Sequence, residues 1–186
     1  MRDEMKAAVF QGPRHFTIEK IPIPEPGPND VLIKVKACGI CGSDLHSYKL
    51  GLFNEPGQIM GHEYLGGVAA VGVDVDDVEV GERVTGQGAL PCGNCFWCQR
   101  GEFGFCPNTF HTLIGYSEYG AFAEYVLLRN AIVGKTLFKF PDSIDDETGA
   151  TAEPLSVGVS TIISTGIKSG DKVVVIGAGV IGNGCM

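Results

Sequence analysis

Short segments in which apolar and polar residues alternate make up most of the chain as far as about Val133, and this period of two predicts β-strands. The clearest is residues 31–37 (VLIKVKA), where apolar and charged residues alternate as in a half-buried strand. Because glycine and proline separate such segments, we expect a β-barrel or sandwich. The other predicted strands are residues 6–11, 16–21, 64–73 and 83–85. The first two of these form a hairpin around Gly12-Pro13-Arg14.

The pattern changes near Pro141. Residues 142–149 (DSIDDETG) open with Asp and Ser before an acidic turn, which predicts the start of a helix. Glu153-Pro154 interrupts the helical pattern, which resumes to about Ile167, and residues 172–176 (KVVVI) are typical of a buried parallel strand. We therefore assign residues 1–150 to a β domain, and residues 151–186 to an interdomain helix followed by the start of an α/β domain.

A glycine-rich turn, Gly177-Ala-Gly179-Val-Ile-Gly182, follows this predicted strand directly. In a strand–turn–helix context this G-x-G-x-x-G spacing predicts a dinucleotide site: the first glycine turns the chain, the second admits a pyrophosphate, and the third allows close helix packing. The alternative is a tight turn without a ligand. The sequence ends at Met186, before the acidic ribose contact expected about 20 residues later. We therefore expect a fragment that is inactive alone.

Composition excludes several classes of function. Apolar residues make up 44% and charged residues 19%, as in an ordinary globular protein. The net charge of −8 and the scattered basic residues argue against nucleic acid as a partner. No apolar run approaches the roughly 20 residues of a membrane helix, and the N-terminus lacks an apolar targeting core, so we expect a cytoplasmic protein. Glycine, at 27 of 186 residues, fits a turn-rich β structure.

Four of the seven cysteines lie within fifteen residues in the spacing C-x2-C-x2-C-x7-C. Four thiolates complete a tetrahedral zinc shell and leave no position for a substrate, so the cluster predicts a structural zinc in a lobe of about residues 88–110. The alternative is a pair of disulfides in a secreted protein, which C-x-x-C spacing in an intracellular protein disfavours. The predicted ligands are Cys92, Cys95, Cys98 and Cys106.

A second group of metal-ligating residue types is dispersed along the chain and mixes thiolate, imidazole and carboxylate. Three such ligands leave a fourth position for water or substrate, as in catalytic zinc sites. A lone histidine is more often a core or surface residue, so the spacing by itself is weak. The candidates are Cys41, His62, Glu63 and Glu153.

The order and spacing of several motifs resemble the zinc-containing medium-chain dehydrogenase/reductase family over essentially the whole chain. They are GICGSDLH (39–46), GHE (61–63), the four cysteines, GAFAEYV (120–126), AEPLSVG (152–158) and VVVIGAGVIG (173–182). Glu153 before Pro-Leu-Ser resembles the polyol, threonine and glucose dehydrogenase branch. The resemblance implies a mainly β GroES-like barrel joined to a Rossmann domain, two zinc ions per chain, NAD or NADP, a secondary alcohol or polyol substrate, and a homo-oligomer in the complete protein.

The resemblance also implies roles for individual residues. Cys41 and His62 become ligands of the catalytic zinc, and the third protein ligand is either Glu63 or Glu153. Asp44 orients His62 from behind. Two cysteines are left out: Cys38 is expected to pack as a small buried residue, and Cys185 has no predicted role.

The expected reaction moves a hydride from the alcohol carbon to nicotinamide, while zinc lowers the pKa of the substrate hydroxyl. Ser43 and His46 form the candidate proton relay, although Ser43 is also a plausible turn hydroxyl and His46 a plausible exposed residue. Aromatic pocket candidates are Tyr48, Phe53 and Phe110, unless they belong to the core. The alternative functions are a non-catalytic zinc-stabilised binding module and a zinc-free quinone reductase. The GHE segment and the four cysteines disfavour the quinone reductase.

Overall fold

A five-stranded antiparallel sheet lies at the centre of the computed structural model, which describes residues 3–87 and 89–186. Its strand order is β6-β3-β4-β5-β7, and β1 and β2 form a separate two-stranded hairpin. The strands are β1 Glu4–Gly12, β2 His15–Pro22, β3 Val31–Gly39, β4 Glu63–Val71, β5 Arg83–Gly86, β6 Tyr125–Leu128 and β7 Leu137–Lys139. The α-helices are α1 Gly42–Leu50, α2 Asp146–Ala150, α3 Ala152–Thr165 and α4 Val180–Gly184.

The hydrophobic core lies on one face of this sheet. Apolar side chains from β3, β4, β5, β6 and β7 meet there because residues of alternate register point to the same face of a strand. The largest buried member is Tyr64, which is fully shielded from solvent. Other fully or almost fully buried members of this cluster are Val31, Ile33, Val84, Val126, Leu128 and Leu137.

The pairing of β3 with β4 contains two irregularities that set its register. One lies between Val35 and Ala37, which pair with Gly66 and Leu65, so that Lys36 is an extra residue in β3. Such a bulge places two residues of one strand opposite one residue of its partner. Beyond it, β3 ends with Gly39 paired to Glu63.

The β1–β2 hairpin packs beside the sheet through two loop segments. The backbone amide of Ala8 donates to the carbonyl of Phe122, and that of Phe10 donates to Gln58, both at 2.8 Å. Residues 120–122 in turn donate to the carbonyls of residues 59–61 at 2.7–2.9 Å. These bonds hold the segment before His62 between β1 and the loop that enters β6.

The strands predicted from alternation are confirmed, with bounds that differ by at most two residues. The predicted strand at residues 172–176 is wrong: this segment pairs with no described strand, and Val174 and Ile176 are 84% and 97% exposed. A parallel strand needs neighbours to satisfy its backbone and cover its side chains. The described part of the chain supplies none.

The helical segment also differs in detail from the prediction. Helix α2 begins at Asp146 rather than near Asp142, because Asp145 is its N-cap. The Asp145 side chain accepts a hydrogen bond from the amide of Thr148 at 2.7 Å. The break falls at Thr151, between α2 and α3. Glu153-Pro154 therefore lies in the first turn of α3, where proline removes no intrahelical bond.

Arg83 connects this helical segment to the sheet. Its guanidinium contacts the Asp146 carboxylate at 2.7 Å and donates to the carbonyl of Pro141 at 2.6 Å. Gly149 lies so close to Leu65 of β4 that an added Cβ would be 2.6 Å from that side chain. These contacts place the start of α3 at the end of the sheet where β3 finishes. No helix in the described ranges combines the length and the hydrophobicity needed to cross a membrane.

Candidate functional site

The four cysteines of the lobe converge on one point. Sγ of Cys98 lies 3.5 Å from that of Cys95 and 4.0 Å from that of Cys92, and the Cys92 amide donates to Sγ of Cys106 at 3.3 Å. A tetrahedron with metal–sulfur bonds of about 2.3 Å has edges of about 3.8 Å. A disulfide would need about 2.05 Å. The thiols are free and spaced for one zinc ion, so the donor set fits the metal.

The lobe contains few buried side chains. Among residues 89–113 the buried side chains are those of Leu90, Cys98 and Cys106, so two of the three are predicted metal ligands. The remaining structure consists of three short 3-10 turns. The backbone hydrogen bond from Cys92 lowers the pKa of Cys106 to about 6, which favours the thiolate that zinc binds.

A second cluster forms where β3 ends and β4 begins. One ligand atom each from Cys41, His62 and Glu63 lies within 4.8 Å of the others. Cys41 is the N-cap residue of α1, His62 precedes β4, and Glu63 is its first residue. One thiolate, one imidazole and one carboxylate are suitable zinc ligands, and three of them leave a coordination position open.

Two glycines make room for this cluster. Gly39 pairs with Glu63, and an added Cβ would lie 3.1 Å from the Glu63 Cβ and closer still to its carboxylate. Gly61 has φ +94°, and its Cβ position is filled by the ring of Phe122. The chain therefore reaches His62 through a left-handed backbone conformation that only glycine adopts readily.

Asp44 lies behind the cluster, as predicted. Its Oδ2 accepts from the Cys41 amide at 2.8 Å, which fixes the N-terminus of α1. Its Oδ1 is 3.9 Å from Nδ1 of His62, and both atoms are buried without a hydrogen-bond partner among the described residues. Burial raises the pKa of Asp44. The two unpartnered atoms face each other at a separation somewhat longer than a hydrogen bond.

The other candidate ligand, Glu153, lies outside the group of three but lines the same cleft as His62. Burial raises the pKa of Glu153, and His62 opposes that shift. Cys38 is not among the clustered donors; it packs against the sheet core, and burial raises its pKa to about 12. Cys185 contacts the carbonyl of Gly158 at 3.7 Å, away from both clusters.

The two relay candidates have different environments. Ser43 is half-buried in the first turn of α1, and its Oγ accepts a hydrogen bond from the Tyr116 hydroxyl at 2.5 Å. His46 lies one turn later and is exposed. Tyr116, which the sequence reasoning missed, also stacks obliquely beside His62 with ring centroids 5.4 Å apart. Burial raises the pKa of Tyr116.

The pocket candidates divide between the site and the core. Phe53 and Phe110 line a cavity together with Ser43 and Tyr116. Tyr48 stacks on Phe16 instead, with centroids 5.8 Å apart, and so belongs to the packing of α1 on the hairpin.

A series of buried hydrogen bonds connects α1 with the loop before Tyr116. The Ser47 hydroxyl lies between the carbonyl of Leu52 and Oδ1 of Asn54, 2.7 Å from the latter, and Asn54 Nδ2 donates to the carbonyl of Gly115 at 2.8 Å. Asn54 thereby ties α1 and its following loop to the residue before Tyr116.

Asn54→Ala is expected to lower the free energy of unfolding by about 1–3 kcal/mol, because the Gly115 carbonyl loses its buried partner. Urea unfolding followed by circular dichroism measures this. The control is Asn29→Ala at an exposed position, which should be neutral. Equal midpoints for the two variants would contradict the bracing role.

A cleft with a volume of about 710 Å³ reaches the second cluster at His62. Residues from β5, β7, the start of α3 and the loop around Tyr116 line it, including Thr85, Phe140, Glu153 and Ser156. Cavities of about 300–1,000 Å³ typically hold small molecules. A metal ion held by His62 and its two neighbouring donors would border this space, whose lining offers both apolar and polar side chains to a small organic molecule.

The predicted nucleotide turn has the backbone geometry that its glycines suggest. Gly177 has φ +109°, and Gly179 is the N-cap of α4. A Cβ on Gly182 would lie 3.0 Å from the carbonyl carbon of Gly177 and closer to its oxygen. The third glycine therefore allows α4 to pack against the turn.

Comparison with known proteins agrees with this architecture. The family model of the alcohol dehydrogenase GroES-like domain matches residues 27–142. Sorbitol dehydrogenase of Bacillus subtilis is 40% identical over 96% of this chain and 50% of its own length. L-threonine 3-dehydrogenase of Francisella tularensis subsp. novicida is 41% identical over 95% of this chain and 49% of its own length.

A solved chain described as a zinc-binding dehydrogenase from Sinorhizobium meliloti 1021, bound to NADP, superposes with a TM-score of 0.87 at 39% identity. The match covers 97% of this chain and 51% of that chain. The chain thus spans about half the length of the relatives it matches. It belongs to the alcohol dehydrogenase GroES-like domain family, within the zinc-containing medium-chain dehydrogenases and reductases.

Proposed function

We propose that these residues belong to a zinc-dependent dehydrogenase that transfers a hydride between a secondary alcohol or polyol and NAD or NADP. The observation that carries the proposal is the three-donor cluster of Cys41, His62 and Glu63, whose His62 lines a cleft of about 710 Å³, separate from a closed four-cysteine cluster. A protein stabilised by zinc has no need of a second, open site. Two of the relatives named above are dehydrogenases of sorbitol, a polyol, and of L-threonine, a hydroxy amino acid, which supports the same chemistry.

In the proposed site, Cys41, His62 and Glu63 would hold the catalytic zinc, and Glu153 lines the same cleft as His62 and interacts electrostatically with it. When bound, zinc supplies Lewis acidity that lowers the pKa of an alcohol hydroxyl. A bound nicotinamide would accept the hydride of the alcohol carbon, and loss of the hydroxyl proton would leave a ketone or aldehyde. The cofactor is the oxidant, so the electrons balance.

The protein's own residues orient the reacting groups and carry the proton. Asp44 holds the amide of Cys41 and faces Nδ1 of His62, which fixes two of the three ligands. We assign Ser43 as the first proton acceptor and His46, exposed one turn along α1, as the group that passes the proton to solvent. The Tyr116 hydroxyl holds the position of Ser43 Oγ.

The cofactor is assigned to the glycine turn. Gly177, with its positive φ, turns the chain, Gly179 at the N-cap of α4 would admit the pyrophosphate, and Gly182 lets α4 pack against the turn. The domain division at about residue 150 goes with this assignment, with the metal clusters before it and the nucleotide turn after it.

Zinc content per chain tests the proposal. Wild-type protein is expected to bind two zinc ions, and Cys41→Ser is expected to bind one, because the substitution removes the thiolate of the open site only. Elemental analysis of protein prepared without chelators measures this, and Cys185→Ser, outside both clusters, is the matched control with two ions. One ion in both wild type and Cys41→Ser would instead support a zinc-stabilised binding module.

A further inference from the structure

Asn183 directly follows the nucleotide turn, residues 177–182, and has no role in the function described so far. Asparagine and glycine are both weak helix formers, yet Asn183-Gly184 completes helix α4. Gly184 is explained by packing, because α3 approaches so closely that a Cβ on Gly158 would lie 2.7 Å from the Gly184 carbonyl carbon. Packing does not explain Asn183, which is exposed.

The Asn183 side chain folds back onto the nucleotide turn. Its amide nitrogen Nδ2 donates to the carbonyl of Ala178 at 2.9 Å and to that of Gly179 at 3.1 Å. Both partners are carbonyl oxygens, so only the NH₂ end of the side chain can face them. The Gly179 carbonyl also accepts from the backbone amide of Asn183 at 2.9 Å. For the Ala178 carbonyl, Nδ2 is the only donor among the described residues.

Holding these two carbonyls fixes the direction of the amides that follow them. In a planar trans peptide, the C=O of one residue and the N–H of the next point in opposite directions. The carbonyls of Ala178 and Gly179 face Asn183, so the N–H groups of Gly179 and Val180 point away from it. Neither N–H donates to another group in the described part of the chain. Two adjacent donors at a glycine turn are suited to the oxygens of a pyrophosphate.

We propose that Asn183 is a positioning residue for the nicotinamide dinucleotide: its side-chain amide orients the peptide groups of the nucleotide turn so that the Gly179 and Val180 amides meet the pyrophosphate. The inference rests on the proposed function and deepens it, because it adds a side chain to a site otherwise made of backbone. Asn183 acts through the turn and not by contact with the dinucleotide. Its removal therefore weakens the binding of ligands that contain a pyrophosphate and spares those that do not.

The test measures dissociation constants of the complete dehydrogenase. NADH or NADPH, whichever binds more tightly, is titrated by fluorescence, and ADP-ribose and adenosine are measured by competition. Asn183→Leu removes both donors, and leucine is the better helix former, so α4 itself is not weakened. Affinity for the dinucleotide and for ADP-ribose should fall about tenfold, the effect of one or two hydrogen bonds, while affinity for adenosine stays within about twofold of wild type.

The matched control is Asn29→Leu, the same substitution at an exposed position in the turn before β3, which should bind all these ligands as wild type does. The turnover number at saturating dinucleotide should not fall in Asn183→Leu, because the substitution acts on cofactor binding.

A second pair of variants keeps the inference testable if Asn183→Leu does not fold. Asn183→His keeps one N–H donor at the position of Nδ2 and should bind the dinucleotide within about threefold of wild type. Asn183→Asp has nearly the same shape as wild type, but its carboxylate would face two carbonyl oxygens. Its affinity for the dinucleotide should fall by about tenfold or more.

The outcomes separate the inference from the proposed function. Failure of the wild-type dehydrogenase to bind either dinucleotide overturns the proposed function and the inference with it. Unchanged dissociation constants in Asn183→Leu, or an equal loss of affinity for adenosine and ADP-ribose, overturns the inference and leaves a dehydrogenase. Equal dinucleotide affinities of Asn183→His and Asn183→Asp do the same.

Discussion

Cys98→Ser is expected to lower the free energy of unfolding by at least about 3 kcal/mol, equivalent to about 6–12 °C in the thermal midpoint of a chain of this size. The lobe has almost no apolar core, so the metal supplies most of its stability. Structural zinc contributes about 10–16 kcal/mol of apparent binding free energy in small zinc domains. Removing one buried thiolate, 3.5 Å from its neighbour, opens the shell. Thermal unfolding by circular dichroism and zinc content measure the effect together.

The matched control is Cys185→Ser, which should retain both the midpoint and the zinc content of wild type. Limited proteolysis gives a local readout: cleavage between residues 89 and 113 should accelerate in Cys98→Ser and in chelator-treated wild type. An unchanged midpoint and cleavage rate after complete loss of this zinc would show that the lobe does not depend on its metal.

Gly120→Ala is expected to destabilise the protein by about 1–3 kcal/mol or more and to reduce metal binding at the second cluster. An added Cβ would lie 2.6 Å from the carbonyl carbon of Met60, and also against the carbonyl oxygen of Gly61. These are backbone atoms directly before His62 and cannot rotate away. The segment must therefore shift, and the ligand shifts with it. Urea unfolding and cobalt titration measure the two effects.

Gly67→Ala is the control for this substitution. Gly67 lies in β4, has an ordinary backbone conformation, and an added Cβ there meets no atom within 4 Å. It should bind metal as wild type does and unfold at the same or a slightly higher denaturant concentration. Normal metal binding by Gly120→Ala would mean that the loop before His62 tolerates displacement.

The strands could be predicted because one face of the sheet is buried. In β3 the buried residues 31–33 are followed by Lys34 and Lys36, which are exposed on either side of the half-buried Val35, and that alternation is visible in the sequence. Helix α1 gave no comparable signal. Its buried residues are the polar Asp44 and Ser47, while Leu45 and Leu50 are exposed, so it lacks an apolar stripe. Its position is set by contacts around the second cluster.

The candidate metal ligands could be chosen from residue type and motif spacing, but their grouping required the fold. Glu63 and Glu153 were equivalent candidates in the sequence. The structure brings Glu63 into the cluster with Cys41 and His62 and leaves Glu153 across the cleft. Tyr116 carried no signal, because it lies in an irregular loop and is 73 positions along the chain from Ser43, which it contacts only in the folded structure.

The error at residues 172–176 has a different origin. Local composition favoured a strand, and the segment is extended but unpaired. Secondary structure in sheets depends on partners that are distant in sequence, so a single segment cannot specify it alone.

The second cluster forms only when β3 and β4 are aligned in the register that the bulge at Lys36 sets. Neighbouring residues of a strand point to opposite faces, so Tyr64 enters the core while Glu63 faces the metal donors. A slip of one residue between β3 and β4 would exchange them, placing a carboxylate among apolar side chains and a phenol at the metal. Misaligned molecules would lack the open cluster while keeping the four-cysteine one. Occupancy of the open cluster by a metal ion therefore distinguishes correctly assembled molecules from misfolded ones that still bind zinc.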